Sequence, residues 1–232
     1  MTTQALYPNI KPSLLLDFAN VKQLDPRITF TRASTATYYD GVTTALAEQN
    51  LWLQSQTFDT ASWTKTSLTV TADTSVAPDG TTTADTVTAT AGTSIAAPRI
   101  SQSITLNTSQ VYTYSAFLKA DTHTFVQAFI SNQGSDFANF TLSASGTATA
   151  FGSTTATISS LANSWYRITI TYTASASTNS PFFAIIPDAS AGWRQVWSPA
   201  GTETVILWGA QLEQRSAVSS YTATTTQAIT NY

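Results

Sequence analysis

The sequence predicts an all-β fold of the sandwich type, and three observations carry that expectation. In Thr204-Val205-Ile206-Leu207-Trp208-Gly209-Ala210-Gln211-Leu212-Glu213, an extended chain points Ile206, Trp208, Ala210 and Leu212 one way and Leu207, Gly209, Gln211 and Glu213 the other, as in a long strand covering a core. In Trp165 to Tyr172 the residues Tyr166, Ile168, Ile170 and Tyr172 share a face opposite Arg167, Thr169 and Thr171, so that one face reads as core and the other as wet. Only 10% of residues are charged against an apolar 42%, so the polar surface is built from Thr, Ser, Asn and Gln. Such residues suit pleated strands better than helices.

Taken in order, the first fifty residues hold three prolines and the short apolar patches Leu14-Leu15-Leu16 and Ile28-Thr29-Phe30, set apart by Asp25-Pro26 and Tyr39-Asp40-Gly41 turns. They read as an extended N-terminal arm over residues 1–49 with one or two strands, or as a first hairpin of the sandwich that occupies residues 50–232. Candidate strands then recur at Ser67 to Thr71, Ala84 to Thr88, Arg99 to Leu106, Val111 to Lys119 and Thr124 to Ile130. They continue at Ala138 to Leu142, Trp165 to Thr173, Phe182 to Ile186 and Thr204 to Leu212, enough for two sheets. Ala77-Pro78-Asp79-Gly80 has Pro at the second and Gly at the fourth position of a type I turn, and Lys119 to His123 reads as a hairpin reversal. The Thr-, Ser-, Ala- and Gly-rich stretch from Thr141 to Ser160 reads as a weakly anchored strand or edge loop, held by Phe140, Phe151 and Ile158.

A net charge of −3 and a pI near 4.9, with basic residues scattered singly, argue against nucleic acid as a partner. No run of about 18 apolar residues offers a membrane span, and Met1-Thr2-Thr3-Gln4 does not open a secretory signal, so the chain is expected to stay in the cytosol. Without cysteine there is no disulfide, thiolate nucleophile or thiolate metal cage. The composition is that of an exposed adhesive protein, yet no export signal is seen. A virus particle assembled in the cytosol and released by lysis reconciles the two.

From about Asn50 to Tyr221 the chain resembles the jelly-roll domains, related to carbohydrate-binding modules, of tailed-phage structural and fibre proteins. The residues that carry the likeness are Asn50 to Ser55; Phe58-Asp59 with Trp63-Thr64-Lys65; Ala77 to Thr81 with Thr83-Ala84-Asp85; Tyr112 to Ser115 with Lys119-Ala120; Trp165-Tyr166-Arg167; and Trp208 to Glu213 ending at Ser220-Tyr221. Leu24 to Tyr38 is similar to the leader that precedes this domain in many phage proteins. The resemblance implies a jelly-roll β-sandwich in which the Trp208 strand closes the fold, with Trp208 a buried plate, Gly209 admitting a neighbouring backbone and Gln211 bonding strand ends. Where relatives carry a short Gly/Thr loop, this chain has Ala191 to Pro199, an altered ligand surface.

The chemistry-bearing residues are few. His123, the only histidine, reads as a solvent-facing turn residue rather than a catalytic base or metal ligand, and no phosphate loop, zincin helix or dinucleotide fingerprint is present. No catalytic residue is assigned. A glycosidase needs only two carboxylates, but Asp40, Asp79 and Asp121 sit at turn-like positions. The resemblance implies no obligatory cofactor, but calcium between terminal strands, for which Asp79, Asp85 and Glu213 are the acids to inspect; turn capping and surface solvation are their ordinary uses. Sugar binding needs exposed aromatic plates beside polar groups, and Trp193 and Trp197 would share a face of an extended chain with Gln195 between them, unless both anchor their loop in the core. Trp52, Trp63, Trp165 and Trp208 read as core or sheet-sealing residues.

The functional expectation is a non-enzymatic phage virion protein, displayed as a tail-fibre-like adhesin or a head decoration. By resemblance it binds other virion proteins through its arm and self-associates as a trimer. The alternative is a soluble carbohydrate-binding module for a host cell-surface glycan, and a less favoured one is a polysaccharide-degrading enzyme.

Overall fold

The computed structural model describes residues 48–130 and 136–230. The expected arm, apart from Glu48 and Gln49, lies outside them. In chain order the strands are β1 (Thr64–Thr66), β2 (Leu68–Ser75), β3 (Ala84–Ala89), β4 (Ile95–Ala96), β5 (Arg99–Ser101), β6 (Ile104–Thr105), β7 (Val111–Ala120) and β8 (Phe125–Ile130). There follow β9 (Phe137–Thr141), β10 (Thr147–Phe151), β11 (Thr155–Ser160), β12 (Trp165–Thr173), β13 (Thr178–Asn179), β14 (Pro181–Ile185), β15 (Val196–Trp197) and β16 (Thr204–Glu213). The helical content of the described residues is one 3-10 turn at Ala162–Ser164.

Two six-stranded antiparallel sheets, β11-β12-β7-β16-β3-β2 and β1-β5-β14-β8-β9-β10, form the sandwich. Its jelly-roll character lies in nested pairs: β3 with β16 and β7 with β12 in the first sheet, and between them in sequence β5 with β14 in the second. The chain is thus a long hairpin folded over so that successive pairs fall in alternate sheets. The Lys119 to His123 segment therefore carries β7 of one sheet to β8 of the other, not around a hairpin as expected. The Thr/Ser/Ala-rich stretch supplies β10 and β11, one edge of each sheet, where few anchors suffice.

Alternation places the core. Tyr166, Ile168, Ile170 and Tyr172 pair with Leu118, Ala116, Tyr114 and Tyr112, so that bulky side chains face smaller ones across part of the register, and all are buried between the sheets. Val126, Phe140, Ile100, Phe183 and Ile185 close on them from the second sheet. Tyr114 donates its hydroxyl to the Phe129 carbonyl at 3.2 Å, satisfying a polar tip inside the core. One end is plugged by Trp52, Phe58 and Trp63, with ring centroids 5.4 Å (Trp52–Trp63) and 5.0 Å (Phe58–Trp63) apart. Burying each such ring stabilises the fold by about 1.5–3 kcal/mol. The plug loop is shaped from below by Asp85, which accepts the Phe58 amide at 2.8 Å, and by Lys65, whose Nζ donates to the Phe58, Asp59 and Thr60 carbonyls.

The closing strand departs from the expected alternation. Trp208 pairs with Phe117 but Gln211 with Ser115, so one extra residue bulges out of β16 where Gly209 takes φ +62°. Val205 and Leu207 therefore face the core together with Ala210 and Leu212, whereas Ile206 and Trp208 lie on the outer face. Trp208 stays buried there against Phe117 (5.2 Å) and Tyr221 (4.8 Å), and donates Nε1 to Thr83.

That outer face is not wet. The segment after β16 straps back across it: Arg167 donates to the Ser219 carbonyl at 2.8 Å, and Gln211 bonds Ser219, Ser220 and the Thr222 amide rather than strand ends. Three stretches of the quoted motifs meet at this edge. Asn50 Nδ2 donates to the Ala210 and Thr222 carbonyls at 3.0 and 2.9 Å, Ser55 Oγ lies 2.7 Å from the Tyr221 hydroxyl, and Asn50 and Ile229 form an antiparallel bridge.

Candidate functional site

The second sheet carries two buried amides on its outer face. Gln127 on β8 pairs with Asn139 on β9, and both are almost wholly inaccessible although they point away from the core. They are covered by the segment 187–199. Gln127 Nε2 donates to Asn139 Oδ1 (2.8 Å) and to the Gly192 carbonyl (3.0 Å), while its Oε1 accepts the Arg194 amide (3.1 Å). Asn139 Nδ2 donates to the Ala189 and Ala191 carbonyls at 3.0 and 2.7 Å. Buried amides left without partners would each cost about 1–3 kcal/mol, so the four bonds to the loop fix its backbone on the sheet, and the fifth ties the two amides together.

Asp188 opens the loop by accepting the Ser190 amide and hydroxyl, bonds that hold its carboxyl below the usual aspartate value. A turn closes next: the Gln195 amide donates to the Gly192 carbonyl at 3.2 Å, Gln195 Oε1 accepts the Gly192 amide at 2.9 Å, and Arg194 stands at φ +48°. The chain is not extended from 193 to 197, so Trp193 and Trp197 do not flank Gln195 on one face. Trp193 keeps 38% of its surface exposed, set edge-on to Phe129 at 6.1 Å with the Arg194 guanidinium 5.3 Å from its ring centroid. Trp197, on β15, is half-buried and stacks on His123 at 6.1 Å and 23°. Gln195 spends its carboxamide on the turn.

His123 is half-buried rather than solvent-facing. Its Nε2 donates to the Ile186 carbonyl at 2.7 Å, so the ring braces the base of the loop. Gln127 and Asn139 went unread at the sequence level; the signal was a long amide at the centre of Phe125-Val126-Gln127-Ala128-Phe129, a strand apolar on both faces.

The three acids inspected for calcium do not share a site. Asp79 is exposed in the turn, closed as expected by the Gly80 amide on the Ala77 carbonyl, and accepts the Thr81 amide. Asp85 is buried, with its oxygens taken by the Phe58 and Asp73 amides. Glu213 is buried on the opposite face of the same sheet, held by Ser219 and by Arg215 at 3.3 Å; it lies six residues beyond Leu207, the partner of Asp85, or about 20 Å along the strand. Among the described residues no three His, Cys, Asp or Glu side chains group as metal ligands.

No family profile and no curated protein matches the chain in sequence. Solved structures similar to it include TmCBM61 in complex with beta-1,4-galactotriose, at 10% identity and TM-score 0.42, covering 72% of this chain and 100% of that one. The CBM22-1 xylan-binding domain of Paenibacillus barcinonensis Xyn10C is similar at 15% identity and TM-score 0.42, with 75% and 99% covered. The enzymatically active domain of tailspike protein 4 of bacteriophage CBA120 is similar at 11% identity and TM-score 0.37, with 71% and 21% covered. At such identities a likeness concerns the path of the strands and not the chemistry of a surface.

Proposed function

We propose that this chain is a non-catalytic glycan-binding module whose binding surface is the loop carrying Trp193, Gln195 and Trp197. One observation carries the reading: an indole is held 38% exposed on a backbone riveted to the sheet by two buried amides. A rigid aromatic plate at low entropy cost is what stacking on the apolar face of a pyranose requires. Trp193 is the contacting plate. Gln195 closes the turn that presents it, and Trp197 stiffens the base through His123. Five of the described carboxylates serve structure: Asp79, Asp188 and Glu203 bond amides of their own turns, and Asp85 and Glu213 are buried and bonded. Glycan-array binding that is lost in Trp193→Ala while the thermal midpoint is kept supports the proposal; an unchanged array signal refutes it.

A second reading, display on a phage particle through residues 1–49 with trimeric self-association, is supported by the ordered motifs between Asn50 and Tyr221 and the leader-like Leu24 to Tyr38. Immunogold labelling of intact particles tests it, and labelling absent from both head and tail would dismiss it.

A further inference from the structure

Among the described residues the two six-stranded sheets have four edges, and two of these are guarded. β1 is three residues long and carries Lys65, and β2 loses register between Thr71 and Ser75, at a bulge that holds Asp73 at φ +54°. Short strands, bulges and charges are the devices that keep a sheet edge from pairing with another chain. β10 and β11 have none of them. Residues 137–166 carry no charge between Asp136 and Arg167. Both strands keep register with their neighbours throughout, and they run along one side of the sandwich, joined by residues 152–154. Among the described residues β11 has a strand neighbour in β12 alone, and its Thr155, Thr157 and Ser159 are exposed. Every second residue of such a strand aims its N–H and C=O outward, so the edge offers a row of unused donors and acceptors. The nearest cation leaves the row clear: Arg167, opposite Ser159, turns towards β7, where it donates to Ser115 Oγ at 3.1 Å and lies over the Phe117 ring. The nearest acid, Asp136, accepts the Ser153 amide beyond the first residue of β11.

We infer that β11 pairs antiparallel with β11 of a second copy of this chain, across a two-fold axis at Thr157. Side chains directly opposite in an antiparallel pair lie on the same face, so self-pairing must centre on a residue. Centring on Thr157 sets Thr157 against itself and Thr155 against Ser159 on the outer face, where their hydroxyls bond across the strands. On the core face it sets Ala156 against Ile158, small against large. The two Asp136 residues then stand at opposite ends of a ladder about 17 Å long. No like charges meet, although each chain carries −3. A ladder of that length, along two sheets about 10 Å apart, buries less than about 1,200 Å² in total, which makes the dimer weak and concentration-dependent. Because β1 and β2 are guarded, association stops at two copies instead of running on into a filament.

The test is sedimentation velocity of the full chain from about 10 µM to about 1 mM, the range in which so small an interface dissociates. The expected result is a monomer–dimer equilibrium. Thr157→Lys sets two ammonium groups face to face and is expected to weaken dimerisation about tenfold or more, whereas Thr71→Lys on the guarded β2 edge is expected to stay within about twofold. The chain contains no cysteine, so Thr157→Cys reads the axis directly. Opposed Cα atoms about 4.5–5.5 Å apart suit a disulfide, and mild oxidation is expected to link Thr157→Cys in pairs while leaving Thr71→Cys unlinked. Both positions are exposed, and urea midpoints equal to wild type show that the variants are folded. A monomer at every concentration overturns the inference, and so does a trimer. A dimer that survives Thr157→Lys, or that does not cross-link through Thr157→Cys, has its interface elsewhere and overturns it too. The glycan-binding reading is untouched by any of these outcomes.

Discussion

Replacing Gly209 by alanine attacks the closing strand at its bulge. An added Cβ meets two penalties: φ +62° is left-handed backbone, and the methyl would sit 2.9 Å from the Phe117 ring and 3.3 Å from Tyr221 Cζ. A left-handed alanine costs about 1–2 kcal/mol. Pushing two packed rings aside costs about 1–3 kcal/mol more. Together they amount to about 2–5 kcal/mol, which for a body of this size lowers the thermal midpoint by about 4–20 °C. Urea unfolding followed by tryptophan fluorescence measures the loss, with Trp208 itself packed against both displaced rings. Gly209→Asn separates the terms, since asparagine tolerates the left-handed region but carries the same Cβ, and it is expected to fall between wild type and Gly209→Ala. A Gly209→Ala protein within about 0.5 kcal/mol of wild type would refute the bulge and with it the assignment of Ile206 and Trp208 to the outer face.

Burial holds the Asp85 carboxyl above the ordinary aspartate value despite the Asp73 and Phe58 amides that favour the anion. With a raised folded-state value, ionisation opposes folding: stability is expected to fall as pH climbs from the unfolded value through the raised one. Asp85→Asn should remove that dependence and cost about 1–3 kcal/mol at neutral pH, because a carboxamide can satisfy only one of the two amides; urea midpoints between about pH 3 and 7 check both, and a variant slope equal to wild type refutes the account. Leu118→Ala enlarges a void of about 20 Å³ between the sheets, lined also by Leu68, Val87 and Val126, and is expected to cost about 2–5 kcal/mol in the same assay. Gln127→Ala should unfasten the loop from the sheet, and hydrogen exchange at the Arg194 amide, its lost partner, is expected to rise while exchange in β7 and β12 does not.

Sequence reasoning succeeded where the two faces of a strand differ sharply. The stretch from Trp165 to Thr173 was readable to its ends because Tyr166, Ile168, Ile170 and Tyr172 share the core side, with Trp165 alone of its large apolar residues on the other. Thr204 to Glu213 misled for the opposite reason: it is apolar on both faces, and a glycine inside a strand signals either a bulge or a close approach without saying which. Gly209 is both. The span Arg99 to Leu106 is interrupted at Gln102, whose carboxamide leaves the sheet to bond the Leu53 amide and carbonyl, a contact 49 residues away that no local pattern encodes. At the candidate site Trp193 was legible as a large apolar side chain in a polar loop. The clasp of Gln127 and Asn139 on the loop was not, because its partners are backbone groups of residues 189–194, 50 to 67 residues further along the chain, which no local pattern encodes.

The reciprocal amide bonds of Asn50 and Ile229, both 2.9 Å, leave the chain's arrival at the sandwich and its departure side by side. Directly opposed antiparallel partners stand about 5.5 Å apart, a gap that one short loop of another protein already spans. The whole body is therefore suited to splicing into a carrier as a single cassette, and a pull applied through those flanks would peel the pair open as a zipper rather than slide it in shear.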